Sequence, residues 1–488
     1  MACKTLLLDP PHKLFGGLRM WMPSPGLLAL AACLEREGLD ADLLDATTLD
    51  RPWTDLPERL RAGGYDLVGV TCPAATFHRD ALAAIRLVRR VLPRAFVAAG
   101  GSHASLNAVR FMEEAPELDC VVLGEGEGVL PGLIRTLEGG GSPGTLPGTC
   151  TRLDELLQST PPPPVVPDLD ALPFPAHHRL DLNHPTYALH GMGRRAVGIS
   201  TSRGCGDGCA YCSEAAFWQS RWRGRSGHLV VEEMERLRRD FGKSLFVFNE
   251  NSFNQSRRRN EAFLESLGRS GMRCDFWFQS RVKDILRDRD LLDEFKRLGC
   301  YEVMLGVESI QPETLHNYRK HQTLEQVREA AELLRSRGIM VMTNVMFGDQ
   351  PDTEETLRAV YEFACEIGDF LVLTLTTPLP GTRYHEGALA EGRIEETDLA
   401  RYDFMHPVMP NRRYTREEIK ALQDKYLRKY YTRPAVFRKM LFSPNRFVRM
   451  SYRLIMRHAW YEARGREWVQ PGYEPIPPEL GTGVEETS

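Results

Sequence analysis

The sequence predicts an α/β protein: a doubly wound parallel-sheet domain, then a partial (βα)6 barrel, then a mostly helical C-terminal extension. Three observations predict it. Short apolar, β-rich runs alternate with helix-period stretches in two separate series. A Pro-rich segment divides the two series, and beyond about residue 385 the alternation stops. The spans are 1–138, 139–190, 191–385 and 386–488, and 488 residues are too many for a single core.

In the first series the strands are KTLLL (4–8), DADLL (40–44), DLVGVT (66–71), AFVAA (95–99) and DCVVL (119–123). Helix-period stretches at 25–38, 78–92 and 127–137 lie between and after them. Ligands of such sheets sit beyond the carboxyl ends of the strands. Those ends read DPP (9–11), TCPA (71–74), GGSHAS (100–105) and GEGEG (124–128). Gly101, Ser102, Gly124 and Glu125 are therefore candidate ligand contacts, because small residues let a ligand approach the backbone. Tight βα turns would need the same composition.

Residues 139–190 carry GGGSPGTLPG and then STPPPPVVPDLDALPFPAHH. Four successive prolines exclude helix and central strand, so this stretch is expected as an extended crossover.

The second series has strands at AVGIST (196–201), LFVFN (245–249), CDFWFQ (274–279), YEVMLG (301–306), IMVMTNVMF (339–347) and FLVLTLTT (370–377). Helices fit 229–241, 257–270, 288–299, 323–337 and 353–367. Six βα units make a barrel of parallel strands left open on one side. Between Arg412 and Arg466, sixteen Lys/Arg stand against four acids, with Tyr426, Tyr430, Tyr431, Phe437, Phe442, Phe447, Tyr452 and Trp460 interleaved. That pattern is read in two ways: a solvated helical face whose aromatics pack on the barrel, or a surface for an anionic substrate or membrane.

A net charge of −4 gives no general affinity for nucleic acid or membrane. The first apolar run is three leucines ending at Asp9, too short for a signal peptide, and no stretch approaches the ~18 apolar residues of a membrane span. Eleven cysteines, an odd number and mostly isolated, point to a reducing compartment, hence the cytoplasm.

Three of those cysteines fall within eight residues of STSRGCGDGCAYCSEAAFW (200–218): Cys205, Cys209 and Cys212. Their spacing and the reducing compartment argue against disulfides. Structural zinc is a rival, since Cys209 and Cys212 have knuckle spacing, but the chain has no second C-x-x-C or H-x-x-x-H to complete a site. Three thiolates with one position open suit an iron–sulfur cluster. Gly204, Gly206 and Gly208 allow a tight loop, and Tyr211 offers a flat wall.

C-x-x-x-C-x-x-C with an aromatic before the last Cys, after the first strand of a partial barrel, resembles the radical S-adenosylmethionine superfamily. Later strand ends carry the likeness in order. FVFNENSF (246–253) resembles the acidic stretch where a carboxylate, here Glu250, receives the methionine amino group. WFQSRVKDI (277–285) implies Arg281 as partner of the cofactor carboxylate, and MLGVES (304–309) implies Glu308 near the ribose. NVMFGDQPDTEE (344–355), with Gly348, resembles the turn behind the adenine, and TTPLPGT (376–382) the end of the last strand. The resemblance implies a [4Fe-4S] cluster on the three cysteines and reductive cleavage of S-adenosylmethionine to a 5′-deoxyadenosyl radical that abstracts a substrate hydrogen.

Upstream, PSPGLLALAACLEREGLDADLLDA, YDLVGVTCPA, VAAGGSHASL and VVLGEGEG resemble the domain fused to the cobalamin-binding class, the group of anaerobic porphyrin cyclases, hopanoid-modifying enzymes and natural-product C-methyltransferases. The D-x-H-x-x-G motif whose His ligates cobalt is absent: His12, His78 and His103 lack the Gly three residues on. Corrin with its lower face unligated by histidine, or a relic domain, both fit this departure, with Phe15, Trp21 and Phe77 available as lining. The implied activity is cobalamin-dependent C-methylation of a small molecule, with flavodoxin or ferredoxin as electron donor. The alternative is corrin-free hydrogen abstraction followed by dehydration, oxidation or rearrangement, with Glu214 and His385 as acid/base candidates. A non-catalytic iron–sulfur or zinc protein would need no cofactor cradle at Glu250, Arg281 and Glu308.

Overall fold

The computed structural model describes residues 2–12, 22–153, 156–187, 193–462 and 474–481. The chain divides into two compact units, one of Met1–Phe15, Trp21–Tyr187 and Val469–Ser488, the other of Gly16–Met20 and Ala188–Trp468.

In the first unit, β1 (Thr5–Asp9), β2 (Ala41–Asp45), β3 (Leu67–Thr71), β4 (Phe96–Gly100) and β5 (Cys120–Val122) run parallel. Side-chain alternation assigns their apolar residues to two cores, one per face. Leu6, Leu8, Val68 and Val70 enter one core, and Leu7 and Leu67 the other. The order β2-β1-β3-β4-β5 reverses direction between β1 and β3, which places the ligand crevice beyond the ends of those two strands.

Two segments depart from the expected plan. β6 (Thr149–Leu153) and β7 (Leu156–Ser159), within the stretch expected as extended crossover, continue the sheet antiparallel beyond β5. Pro143 and Pro147 precede β6 and the four-proline run begins only at Pro161, after β7 has ended, so none of them enters the ladder. Residues 474–481, expected within the helical extension, instead pack on this first unit. The Glu474 carboxylate accepts from Trp53 N at 2.9 Å and Thr54 N at 3.0 Å, satisfying amides at the start of helix Pro52–Gly63.

The second unit holds β8 (Ala196–Ile199), β9 (Ser202–Arg203), β10 (Arg223–Gly224), β11 (Leu245–Phe248), β12 (Asp275–Ser280), β13 (Cys300–Glu308), β14 (Met340–Phe347) and β15 (Phe370–Leu375). Six strands are parallel in the order β15-β14-β13-β12-β11-β8. Each strand neighbours the next in sequence, and β8 and β15 are the open edges. Thr323 and Thr353 close capping boxes at the helices that follow, fixing where each begins. Phe248, Phe253, Phe263, Phe276, Phe278 and Phe295 are buried between strands and helices. β9 and β10 form a two-stranded ribbon that brackets the cysteine loop.

Helices Arg416–Tyr431, Pro434–Phe442 and Arg446–Glu462 follow the barrel. Tyr426, Tyr430, Phe447 and Tyr452 are buried, and Phe447 stacks on Tyr301 at 3.7 Å. Phe437 and Phe442 are exposed. No described helix is long and apolar enough to cross a membrane.

Candidate active site

The cysteine loop leaves β8, crosses β9 and ends at the helix Ser213–Phe217, for which Cys212 is the N-cap residue. Gly204 has φ +81°, and a Cβ there would lie 2.0 Å from the Arg221 carbonyl, so only glycine fits. Cys205, Cys209 and Cys212 are partly exposed free thiols. Burial raises the Cys209 thiol pKa and pushes that of Cys212 up to about 12. Among the described residues no three His, Cys, Asp or Glu are gathered at metal-holding distance. The three thiols share one short loop, and Cys209 feels the charge of Cys205 as Cys212 feels that of Cys209.

Arg281 lies otherwise than expected. Its Nε and Nη2 donate to the two Asp284 oxygens at 2.5 and 3.0 Å, and its Nη1 donates to Asp207 Oδ1 at 2.8 Å. Lys283 Nζ donates to the same Asp207 oxygen at 2.5 Å, and Gly206 N donates to Gln255 Oε1 at 3.1 Å. Asp207 stands between Cys205 and Cys209, so the guanidinium ties the loop to the end of β12 and has no fork left for a carboxylate.

Glu250, past the end of β11, is buried and accepts from the Thr201 hydroxyl and, at 3.3 Å, from Thr201 N. Arg259 donates to Thr201 Oγ1 at 2.5 Å, completing a chain to the carboxylate. Burial raises the Glu250 pKa, and Arg259 opposes that.

Glu308 ends β13 at φ +63°, beside a register shift against β14. A buried non-glycine residue in this region is strained and needs surroundings that enforce it. Those surroundings are Lys320 Nζ at 3.2 Å from Oε1, Asn344 Nδ2 at 3.3 Å from Oε2, and the Tyr211 hydroxyl. Gly306 leaves room for the pair: a Cβ there would meet Glu308 Oε1 at 2.5 Å and Lys320 Nζ at 3.0 Å. Lys320 loses solvation by burial, yet its pKa is raised by Glu308 and Cys209. Tyr211 tilts against Tyr318 at 4.9 Å, and Tyr318 against Tyr384 at 5.7 Å.

Gly348 follows β14 at φ +100° and donates its N–H to Asp352 Oδ2 at 2.9 Å, as Asp349 N does at 3.0 Å. Burial and the nearby Asp349 push the Asp352 pKa up to about 7. Asp349 Oδ1 accepts from the Tyr384 hydroxyl, while its buried Oδ2 has no hydrogen-bond partner. Glu214 accepts from Trp218 Nε1 at 2.8 Å, and burial raises its pKa. His385 N donates to Thr382 Oγ1 at 3.2 Å in the first turn of helix Arg383–Ala390.

Cys205, Cys209, Cys212, Tyr211, Lys320 and Glu308 are thus linked by direct bonds or mutual electrostatic influence. Glu250 and Arg281 flank them, each engaged by the chain itself. Lys320, Asp207 and Thr201 were not singled out from the sequence. The only signal for Lys320 was a cation within HNYRKHQT, a stretch with no metal or cofactor spacing. Three unbridged thiols on one loop, a buried cation beside them and an orphaned Asp349 oxygen at the glycine turn fit a cluster and a charged, polar cofactor.

In the first unit, Gly101 has φ +99° and a Cβ there would meet the Cys72 carbonyl at 2.8 Å. Ser102 Oγ donates to Pro73 O at 2.7 Å. Gly124 N donates to Ser105 Oγ at 2.8 Å, and a Cβ on Gly124 would meet Pro162 at 3.1 Å. Glu125 Oε2 accepts from Val166 N at 2.5 Å. Gly124 and Glu125 therefore hold the Pro-rich segment, two strands away from the β1/β3 crevice. Gly101 and Ser102 stand next to that crevice.

His12 sits at the crevice with both ring nitrogens bonded, Nε2 to Asp9 Oδ1 at 2.9 Å and Nδ1 to Asp80 Oδ2 at 3.0 Å. Burial pulls its pKa down, but the Asp80 and Asp9 bonds outweigh that and bring it to about 10. His78 bonds Glu114 at 2.7 Å and His103 at 3.3 Å, and His103 also meets Asn107 at 3.2 Å. As placed, these imidazoles have their nitrogens engaged within the unit. Phe77 lies 4.1 Å from the His12 ring; Phe15 and Trp21 lie outside the described residues. Small residues at Pro73, Ala74, Gly101 and Ser102 fit a broad flat ligand not held by histidine.

Comparison with known proteins agrees with both halves. The B12 binding domain family matches residues 15–134, and the Radical SAM superfamily matches residues 199–364. An uncharacterized methyltransferase of Pyrococcus horikoshii is 28% identical over 447 residues, 91% of this chain and 96% of that protein. The anaerobic magnesium-protoporphyrin IX monomethyl ester cyclase of Synechocystis is 27% identical over 467 residues, 95% of this chain and 91% of that one. The hopanoid C-3 methylase of Methylococcus capsulatus is 27% identical over 84% of this chain and 76% of its own. Among solved structures, the radical S-adenosylmethionine methyltransferase TsrM of Kitasatospora setae, with cobalamin and a [4Fe-4S] cluster bound, superposes with a TM-score of 0.72 at 21% identity, covering 95% of this chain and all of that one. That likeness is one of fold. Taken with the cysteine loop, the parallel barrel and the doubly wound sheet before it, these matches show a B12-binding domain followed by a Radical SAM domain in one chain.

Proposed function

We propose that the protein is a cobalamin-dependent radical S-adenosylmethionine methyltransferase acting on an unactivated carbon of a small molecule in natural-product or cofactor biosynthesis. The observation that carries this reading is the presence of both domains in one chain, at lengths matching methyltransferase relatives nearly end to end. When bound, the cluster with S-adenosylmethionine supplies a 5′-deoxyadenosyl radical, and the corrin supplies a transferable methyl group.

The chain's own residues have separate tasks. Cys205, Cys209 and Cys212 would hold the cluster as thiolates, giving up the protons that burial now keeps on Cys209 and Cys212. Arg281 and Lys283 hold Asp207, and with it the loop. Lys320 is the buried cation suited to the cofactor carboxylate, and Glu250 and Glu308 are acceptors for its ammonium and ribose hydroxyls. The Gly348 turn, closed by Asp352, is a wall for the adenine. Flavodoxin or ferredoxin would supply the electron for the cluster, and the odd number of mostly isolated cysteines goes with a reducing, cytoplasmic location.

The test is anaerobic reconstitution with iron, sulfide and hydroxocobalamin, then S-adenosylmethionine and dithionite. The expected outcome is a corrin absorption band that survives desalting, with methylcobalamin and 5′-deoxyadenosine formed. Replacing Cys205, Cys209 and Cys212 together by Ala abolishes 5′-deoxyadenosine. Formation of 5′-deoxyadenosine by a protein that retains no corrin would overturn methyl transfer in favour of hydrogen abstraction alone.

A further inference from the structure

The hairpin of helices Pro434–Phe442 and Arg446–Glu462 takes no part in the site. Its inner face packs under the barrel: Val436, Val448 and Tyr452 share a core with Met340 and Phe370, the first residues of β14 and β15. Asn445 donates to the carbonyls of Tyr301 and Gly338 at 3.3 Å each, and Arg446 pairs with Asp275, the first residue of β12. The hairpin therefore closes the end where strands start, opposite the cysteine loop.

Its outer side is unlike the rest of the chain. From residue 434 to 457 there are six Lys/Arg and no acid, in a protein of net charge −4; Lys439 pairs with Asp369 and Arg446 with Asp275, and Arg438 and Arg453 are exposed. Leu441 and Phe442, at the turn, are 55% and 76% exposed, and Phe437 one turn earlier is 38% exposed. A groove of about 350 Å³ along the second helix is lined by Arg446, Arg449, Arg453 and Arg457 with Met450 and Leu454. Guanidinium groups bordering a groove with apolar walls, beside protruding Leu and Phe, match phosphodiester headgroups above acyl chains.

We propose that this hairpin docks the protein on an anionic phospholipid bilayer, Leu441 and Phe442 entering the interface and the arginines pairing with headgroup phosphates. A bilayer fits better than an acidic redox protein. β13 spans nine residues, about 30 Å at ~3.3 Å each, so a donor seated here would lie a barrel's length from the cysteine loop. The inference is independent of the reaction assigned above.

Sedimentation of the full chain with vesicles tests it, using phosphatidylcholine alone and phosphatidylcholine mixed with phosphatidylglycerol. The protein should pellet with the mixed vesicles only, and high salt should release it. Arg438→Gln and Arg453→Gln should each weaken binding about five-fold. Phe442→Ser should weaken it independently, and all three variants should melt like the native protein because the side chains are exposed. Recovery in the supernatant with both vesicle types would sink the proposal. So would unchanged binding by the arginine variants, or slower reduction by flavodoxin in Arg453→Gln without vesicle binding by the native chain.

Discussion

At the scale of single residues, the Glu308–Lys320 pair is the most constrained feature of the site. A strained backbone, a buried ammonium and an obligate small residue at Gly306 all serve one contact. Breaking a buried pair from one side leaves an uncompensated charge, at a cost of about 3–5 kcal/mol. Lys320→Met should lower the denaturation midpoint accordingly, and Glu308→Gln in the same chain should recover most of the loss. Both single variants should weaken S-adenosylmethionine binding at least ten-fold by calorimetry if the pair serves the cofactor as proposed, because each removes one of the two charges assigned to it; unchanged affinity would reject that assignment. Arg281 is expected to behave differently. Arg281→Lys removes the fork that joins Asp284 to Asp207. It should reduce iron retained after reconstitution several-fold while leaving the affinity for S-adenosylmethionine of the loaded fraction within about two-fold. A large loss of affinity in that fraction would instead assign the guanidinium to the cofactor.

At the scale of elements, the end of β1 carries a charge arrangement with a pH signature. His12 is buried between Asp9 and Asp80, with a folded pKa of about 10 against an ordinary 6.5. A raised histidine pKa stabilises the fold fully below about pH 6.5, and that contribution is lost as pH rises through about 10. Between pH 7 and 10 the urea midpoint of the native chain should therefore fall more steeply than that of His12→Gln. Parallel curves would show that the clamp carries no net charge energy. The five parallel strands of the first unit and the six of the second fall where alternation places them, each within a residue or two. The strands β6 and β7 were not read, because antiparallel strands of five and four residues, next to Gly- and Pro-rich runs, lack the long apolar blocks that mark buried parallel strands.

At the scale of the whole molecule, the two domain types, the two sheets and the cysteine loop were legible because each rests on local pattern: alternating strands and helices, three cysteines in eight residues, glycines where a turn is tight. The side chains around the loop were less so. Glu308 was legible because it ends a strand within a motif. Lys320 was not, since twelve residues and a helix separate it from the carboxylate it pairs with. Arg281 was assigned to the cofactor from its place at a strand end, but Asp207 and Asp284 reach its fork, and only the fold brings Asp207 there. The aromatic, basic C-terminal stretch divides in the same way. Burial of Phe447 and Tyr452 against strand starts leaves Leu441, Phe442 and the arginine groove outside, a separation that composition does not express. The sequence by itself determined the two series of parallel strands and the thiol loop, because periodicity and spacing act over a few residues. Only the tertiary structure decided which charges meet, because pairing between distant residues depends on strand order and burial.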